Sequence, residues 1–422
     1  LKAAIITIGD ELLIGQVINT NSAWLAENLI HYGIETKRII TVPDNENDIM
    51  QEFKSAWQMY DIVITTGGLG PTHDDLTVNC VARFFNARLI LNRKILTYVE
   101  NLFKRRKISM PESNISQAMV PENAIVMINK AGTAPGLLIT EANKSFAVLP
   151  GVPAEMKYIC SKHLFPYLNT RYKNKIRHVI KFKTLHTIGI GESVIAEKLG
   201  DISKIEKKSK EFSVKIAFLP SSNEVRLRVT VFAINNLTAD KLIKDTIRYI
   251  RKKVGNYIYS YRSSTIEKAV SELLKKNKYT ISIAESCTGG LVSSKLTDIS
   301  GSSEYMQYSV VSYSNESKIK LLGVKKHTIR KYGAVSKETA IEMARGVRKI
   351  SNTDIGISTT GIAGPTGASK TKPIGLVWIG YSDKNGTSAY KYVFTKDRLK
   401  NKEIMSKMAL EIIRRKILKI EI

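Results

Sequence analysis

The chain has 422 residues, 43% of them hydrophobic and 24% charged, the make-up of a folded protein of two to four domains and not of a disordered polymer. No apolar run approaches the ~18 residues of a membrane span, and Asp10 and Glu11 stand where a signal peptide would need its apolar stretch to continue. A cytoplasmic protein without membrane contact is therefore expected. Cys80, Cys160 and Cys287 are too few and too scattered for a disulfide framework or a zinc cluster. The net charge of +27 comes from 46 Lys against 19 Arg spread over the whole length. That is the pattern of an A/T-rich genome more than of a clustered nucleic-acid footprint, and nucleic acid is not the expected partner.

In chain order, residues 2–8 form a short apolar strand. Asn21 and Ser22 are placed to cap a helix carrying Trp24, Leu25 and Leu29, which stops near Gly33. A strand over 34–42 follows, then a helix with Ile49, Phe53 and Trp57 on one face, then a strand over 61–66. That strand runs into GGLGPTHDD, and the next helix is predicted to begin near Asp74. This alternation predicts an open parallel sheet covered by helices on both faces, with ligands beyond the C-terminal strand ends. GTAPG at 132–136 and LPGVPAEM at 149–156 mark two further loops, and a basic connector runs from about 171 to 177. Residues 178–254 then read strand, helix (192–199), two strands (213–219 and 224–232) and helix (236–252), a small α+β module. A second large α/β domain begins near 264, with a helix from Ile266 and a strand over 279–284. The loop AESCTGG leads into a further helix, and Ser336 caps another. Strands over 354–359 and 374–382 are separated by TGIAGPTG, and the last helix spans 399–418.

Three loops have the composition of chemical sites. In GGLGPTHDD, Gly67, Gly68 and Gly70 allow backbone N–H groups to face an anion, with Thr72 beside them. Asp74 and Asp75 are either helix caps or ligands of a divalent cation that bridges to phosphate, because hard cations take oxygen ligands; metal is the preferred reading. Glu11 can reach the same crevice, whereas His73 reads as an exposed loop residue. In AESCTGG, Ser286 and Cys287 compete as nucleophile after a strand and before a glycine-rich helix start. Cys287 lacks an evident thiolate-promoting partner, since His327 is the one His of that domain. For Ser286 the segment YSNESK offers Tyr313 and Lys318, and a lysine becomes a base only when burial or a neighbouring cation lowers its pKa. TGIAGPTG is a third, weaker anion-loop candidate.

Longer strings are more specific. GDELLIGQVINTNS (9–22), TTGGLGPTHDDLT (65–77), GTAPG and LPGVPAEM resemble the molybdopterin-binding fold. AESCTGGLVSSKLTDISGSS (284–303), VVSYSNESKIKLLGV (310–324), YGAVS (332–336) and GIAGPTGASKTKPIGLVWIG (361–380) resemble the PncC-type nicotinamide-nucleotide amidohydrolase domain. Together they resemble the competence/damage-inducible protein A (CinA) family over essentially the full chain.

The resemblance implies two three-layer α/β domains, at 1–170 and 259–422, flanking a small KH-like α+β domain at 171–258. It implies deamidation of nicotinamide mononucleotide to nicotinate mononucleotide and ammonia in the C-terminal domain, without a metal. Ser286, Tyr313 and Lys318 would be the catalytic residues. The N–H groups around Thr288, Gly289 and Gly290 would hold the oxyanion, and Gly361, Gly364 and Thr366 would lie near the nucleotide. For the N-terminal domain it implies a metal-dependent ADP-ribose pyrophosphatase with Asp74 and Asp75 as the acidic loop, and a homodimer acting on small nucleotides. The KH-like module lacks a GxxG clamp, GIGE standing at 189–192, so RNA binding is not expected there. Two other readings remain: adenylyl transfer to molybdopterin by the N-terminal loop, and a nucleic-acid-binding competence scaffold.

Overall fold

A computed structural model describes residues 1–72, 75–175, 178–261 and 265–422. The N-terminal sheet contains β1 (Lys2–Ile8), β2 (Glu35–Val42) and β3 (Ile62–Thr66). A separate short pair follows, β4 (Leu89–Leu91) with β5 (Met119–Pro121), and the sheet resumes with β6 (Ile125–Met127), β7 (Gly136–Glu141) and β8 (Lys144–Leu149). Its order is β2-β1-β3-β8-β7-β6. The first four strands are parallel, whereas β7 and β6 close the edge antiparallel. The expected all-parallel sheet is thus extended by a meander, because Ala142–Asn143 is too short a link for a crossover. Strand alternation explains the two-sided burial: Ala4, Ile6 and Ile8 join a core with Phe53 and Phe146, while Ala3 and Ile5 join the opposite core with Leu25 and Leu29.

Two helix starts differ from the sequence reading. The first helix of substance is Thr20–Leu29, and its cap is Asn19, whose side chain accepts from Ser22 N. Asn21 is drawn away because its amide donates to Gly151 O (2.7 Å) and Thr66 Oγ1 (3.3 Å). The helix predicted from Asp74 begins at Thr77 and runs to Phe84, with no side-chain cap. Asp75 is engaged within its own loop, and Asp74 and His73 lie outside the described residues. Of the basic connector, 171 and 172 complete the helix Phe165–Tyr172, and 176 and 177 lie outside the described residues.

The middle segment has β9 (Val179–Ile188), β10 (Phe212–Ser221), β11 (Glu224–Ala233) and β12 (Ile258–Ser260) in the order β10-β11-β9-β12, with helices Glu192–Leu199 and Asn236–Val254. The C-terminal sheet has β13 (Ile281–Glu285), β14 (Met306–Val311), β15 (Ile355–Gly361), β16 (Leu376–Asp383) and β17 (Gly386–Val393) in the order β14-β13-β15-β16-β17. Its first three strands are parallel and the last two antiparallel. Ile281 and Ile283 of β13 face a core with Met405 and Leu410 of the last helix, Arg398–Ile417, and Ala284 faces the other side with Met343 and Val347. The chain falls into two compact units: one holds Leu1–Lys181 with Ser209–Phe212 and Val231–Lys241, the other Phe182–Lys208, Ser213–Thr230 and Leu242–Ile422.

Candidate active sites

In the C-terminal sheet, β13 is flanked by two parallel neighbours, and the residue just past its end is Ser286. The turn from β13 into the helix Leu291–Thr297 is organised by Glu285, which is fully buried. One of its carboxylate oxygens accepts from Gly290 N (2.9 Å) and Val292 N (3.1 Å), the other from Ser293 N (2.9 Å) and Ser293 Oγ (2.6 Å). A single carboxylate thereby satisfies amides that a helix start leaves open, and its charge opposes the positive end of the helix dipole. Gly289 and Gly290 adopt φ of 63° and 95°, a conformation that favours glycine.

Lys318 reaches this turn from the helix Asn315–Leu322, whose start is fixed by Ser314 accepting from Ser317 N. The lysine is 1% exposed. Its Nζ lies 3.0 Å from Ser286 Oγ, 2.8 Å from Ser312 O and 3.1 Å from Tyr313 O. Burial pulls its pKa down to about 8, so about a tenth of the molecules carry a neutral amine at pH 7. A neutral amine has two N–H bonds and one lone pair. Two carbonyls take the N–H bonds, which leaves the lone pair directed at the Ser286 hydroxyl.

Two of the expected oxyanion donors, the amides of Gly289 and Gly290, are engaged elsewhere at this site. Tyr313 holds the lysine through its backbone carbonyl; the residue is 64% exposed and its phenol accepts from Arg398 Nη2 at 3.3 Å. The N–H of Gly290 is taken by Glu285 and that of Gly289 by Ser286 O (3.2 Å). Among the described residues, the amides of Cys287 and Thr288 have no oxygen acceptor. Cys287 is buried, and burial pushes its thiol up to about 12, so it is a protonated wall residue at neutral pH.

A cavity of 300 Å³ opens over this arrangement, with Ser286, Tyr313, Lys318 and Arg398 in its walls. Gly361, Gly364 and Thr366 line the same cavity, whereas Thr288, Gly289 and Gly290 do not. Arg398 is the residue that motif reading missed. It stands at the first position of the last helix and donates to Gly364 O at 2.8 Å. A lone Arg over a hundred residues from Ser286 carries no local signal; only the fold brings the two together.

The N-terminal loop sits at the C-terminal end of β3, beside a cavity of 530 Å³. Gly67 and Gly68 have φ of 112° and 63°, and a Cβ on Gly68 would lie 2.2 Å from Thr77 Oγ1. Asp75 folds back into the loop: its carboxylate accepts from Gly70 N (2.6 Å), Thr72 N (2.9 Å) and Thr72 Oγ1 (2.6 Å). Asp75 therefore shapes the loop rather than capping a helix. Glu11 lines the cavity together with Asp44 and Glu155, two acids the motifs did not single out. Asp44 follows the end of β2, where the strand-end rule would have found it. Burial, and then the charges of Asp10, Glu11 and Asp75, hold its pKa above the usual carboxylate value.

Among the described residues no three His, Cys, Asp or Glu side chains approach closely enough to enclose a metal ion. The crowded acids fit a hard cation that keeps most of its water and takes one or two carboxylates, as Mg²⁺ does. Among the described residues a closed protein cage does not fit.

Three family models match the chain: "Probable molybdopterin binding domain" over 4–170, "Damage-inducible protein CinA KH domain" over 182–260, and "CinA C-terminal domain" over 263–417. A CinA-like protein from Kosmotoga olearia is 42% identical over 419 residues, covering 99% of each chain. A putative competence-damage inducible protein from Caldicellulosiruptor saccharolyticus is also 42% identical over 419 residues, covering 99% of this chain and 100% of its own. Among solved structures, a competence/damage inducible protein from Agrobacterium tumefaciens is 34% identical, with a TM-score of 0.35, over 35% of this chain and 92% of its own. No helix among the described residues is long and apolar enough to cross a membrane.

Proposed function

The chain belongs to the CinA family from end to end, and from that membership we propose that its C-terminal domain hydrolyses the carboxamide of nicotinamide mononucleotide to nicotinate mononucleotide and ammonia. The observation that carries this reading is the buried Lys318 amine, held by two carbonyls and 3.0 Å from Ser286 Oγ. Neutral Lys318 takes the Ser286 proton as Oγ attacks the carboxamide carbon. The oxyanion is met by the amide of Cys287, which lines the cavity beside Ser286. The proton passes from Lys318 to the departing nitrogen as the C–N bond breaks, which releases ammonia. Water, deprotonated by Lys318, then cleaves the acyl-serine and the proton returns to Ser286. Arg398 supplies the positive charge that suits a nucleotide phosphate. Ammonia release from nicotinamide mononucleotide tests the reading. Ser286→Ala is expected to lose at least a thousandfold in kcat, and Cys287→Ala to stay within a few-fold. An active Ser286→Ala with a dead Cys287→Ala overturns it.

A second activity is favoured by the acid-walled cavity beside the phosphate-shaped loop. There the N-terminal domain hydrolyses ADP-ribose to AMP and ribose 5-phosphate. A divalent cation held by Glu11, Asp44 or Asp75, with Asp74 next to Asp75 in sequence, would neutralise pyrophosphate charge. The loop amides orient the phosphates. The expected result is turnover that needs added metal and is lost in Asp75→Ala; full turnover in excess chelator overturns it. Adenylyl transfer to molybdopterin has no comparable support, since nothing in that reading calls for the amidohydrolase half. The homodimer belongs to this proposal as well, and sedimentation of the chain tests it.

A further inference from the structure

One edge of the C-terminal sheet is β14, which pairs with β13 on one side and, among the described residues, with no strand on the other. Such an edge offers a row of unpaired N–H and C=O groups to any strand that meets it. Folded proteins block it with short length, with proline or with charge, lysine above all. Three other long edge strands of this chain are blocked in that way: Lys37 stands exposed on β2, Lys215 on β10 and Lys391 on β17. The edge strands β6 and β12, and the β4–β5 pair, are three residues long each. β14 has six residues, Met306–Val311, and none of them is charged or proline. The uncharged run extends from Tyr305 to Asn315, in a chain with 65 Lys and Arg.

The two faces of β14 are occupied within the domain. Val310 packs with Leu322 and Met343 on one face. On the other, Ser309 Oγ meets Ser293 Oγ, and Val311 lies 3.7 Å from the Cβ position of Gly290. What stays open is the edge itself, where Tyr308 and Val311 are 38% and 47% exposed and Gln307 is exposed with them.

The charge of the molecule says what fits there. An acidic partner would gain by meeting the lysine-bearing edges and gains nothing from a neutral one. A second copy of this chain carries the same +27, and the edge without charge is where it meets least repulsion. A strand also pairs with its own copy antiparallel about a two-fold axis, which closes both open edges in one contact.

Taking up the homodimer of the proposed function, we infer that two copies join through β14, antiparallel and edge to edge, so that two five-stranded sheets run on as one of ten strands. The axis stands perpendicular to the sheet at Tyr308 or Ser309, and each face continues across the seam. Tyr313, two residues past β14, lines the cavity over Ser286, so the seam ends beside each deamidase site.

Sedimentation of the full chain over a range of concentrations tests this. The wild type is expected to be a dimer. Gln307→Lys and Tyr308→Lys each give the edge the residue that blocks its counterparts, and each is expected to raise the dimer dissociation constant at least tenfold. Val393→Lys adds the same charge at an exposed position of β17, the opposite edge, and is expected to leave that constant within twofold. Unchanged circular dichroism shows that the variants fold. Cross-linking supplies a positive signal. Cys80, Cys160 and Cys287 are buried, and the two copies of residue 308 lie opposite each other or about 7 Å apart along the strand. A short bismaleimide is therefore expected to join two Tyr308→Cys chains and not two Val393→Cys chains. A wild-type monomer leaves the edge to a strand of another protein and overturns the proposal together with the homodimer. A dimer that both edge lysines leave intact, that Val393→Lys loosens equally, or that Tyr308→Cys fails to cross-link overturns the seam and leaves the homodimer standing.

Discussion

Lys318 puts two properties of one side chain in opposition. Burial makes it a usable base and makes it a liability to the fold. With a folded pKa of about 8, the neutral form gains population as pH rises, so kcat/KM for deamidation is expected to climb through pH ~8 and level off above it. A flat profile between pH 6 and 9 would exclude Lys318 as the base. The same shift fixes the sign for stability. Between about 8 and the ordinary lysine value of roughly 10.4, the unfolded chain holds a proton that the folded chain lacks, so stability rises with pH across that window. Below pH 8 both states are protonated and the penalty is present in full. Lys318→Met is therefore expected to abolish deamidation and to raise stability at pH 7 by on the order of 1–3 kcal/mol. Denaturant midpoints at pH 7 and pH 10 check this; the gap between variant and wild type should close at the higher pH. The sequence made Ser286, Tyr313 and Lys318 visible as a set. It could not show that the Tyr313 carbonyl holds the Lys318 amine, because backbone contacts leave no mark on residue type.

At the scale of the element, the turn after β13 depends on Glu285. Glu285→Ala would strip acceptors from three amides and a hydroxyl at a buried helix start. A loss of roughly 3 kcal/mol is expected, with kcat for deamidation down at least tenfold as the turn relaxes. Glu285→Gln retains one good acceptor and should fall between. Chemical denaturation and ammonia release separate the two effects; a Glu285→Ala chain of wild-type midpoint would show that the carboxylate carries no weight. Helices and strands were largely legible from periodicity, to the residue for Glu192–Leu199. Helix starts were legible only where the cap has no competing tie. Ser336 caps the helix Lys337–Ser351 as read from sequence, while Asn21 and Asp75 were claimed by contacts to Gly151 and Gly70. The Asn21 contact depends on how separate strands end side by side, which no local pattern encodes, whereas Asp75 is held by ties inside its own loop. The antiparallel edges of both sheets were unread for the same reason, since strand order is a tertiary property.

Across the whole molecule, the charge of +27 is spread along the chain, and we propose that it serves no nucleic-acid partner. Binding to random-sequence DNA is expected to be weak and to vanish at moderate salt, as for any diffuse polycation. A filter-binding series in KCl checks it, and selective binding that survives physiological salt would restore the scaffold reading. The order of domains was visible in the sequence because each large domain brings its own glycine-punctuated loop after a buried strand.

The two candidate sites share no residue, and each lies wholly within one compact unit. On the two proposed activities the chain would be, in genetic terms, two cistrons written as one. An allele dead at Ser286 and an allele dead at Asp75 should complement each other when carried in the same cell, with each product supplying what the other lacks. Selection can then relax on one half without touching the other, so natural alleles of this gene should include chains in which one loop has decayed while its counterpart stays intact.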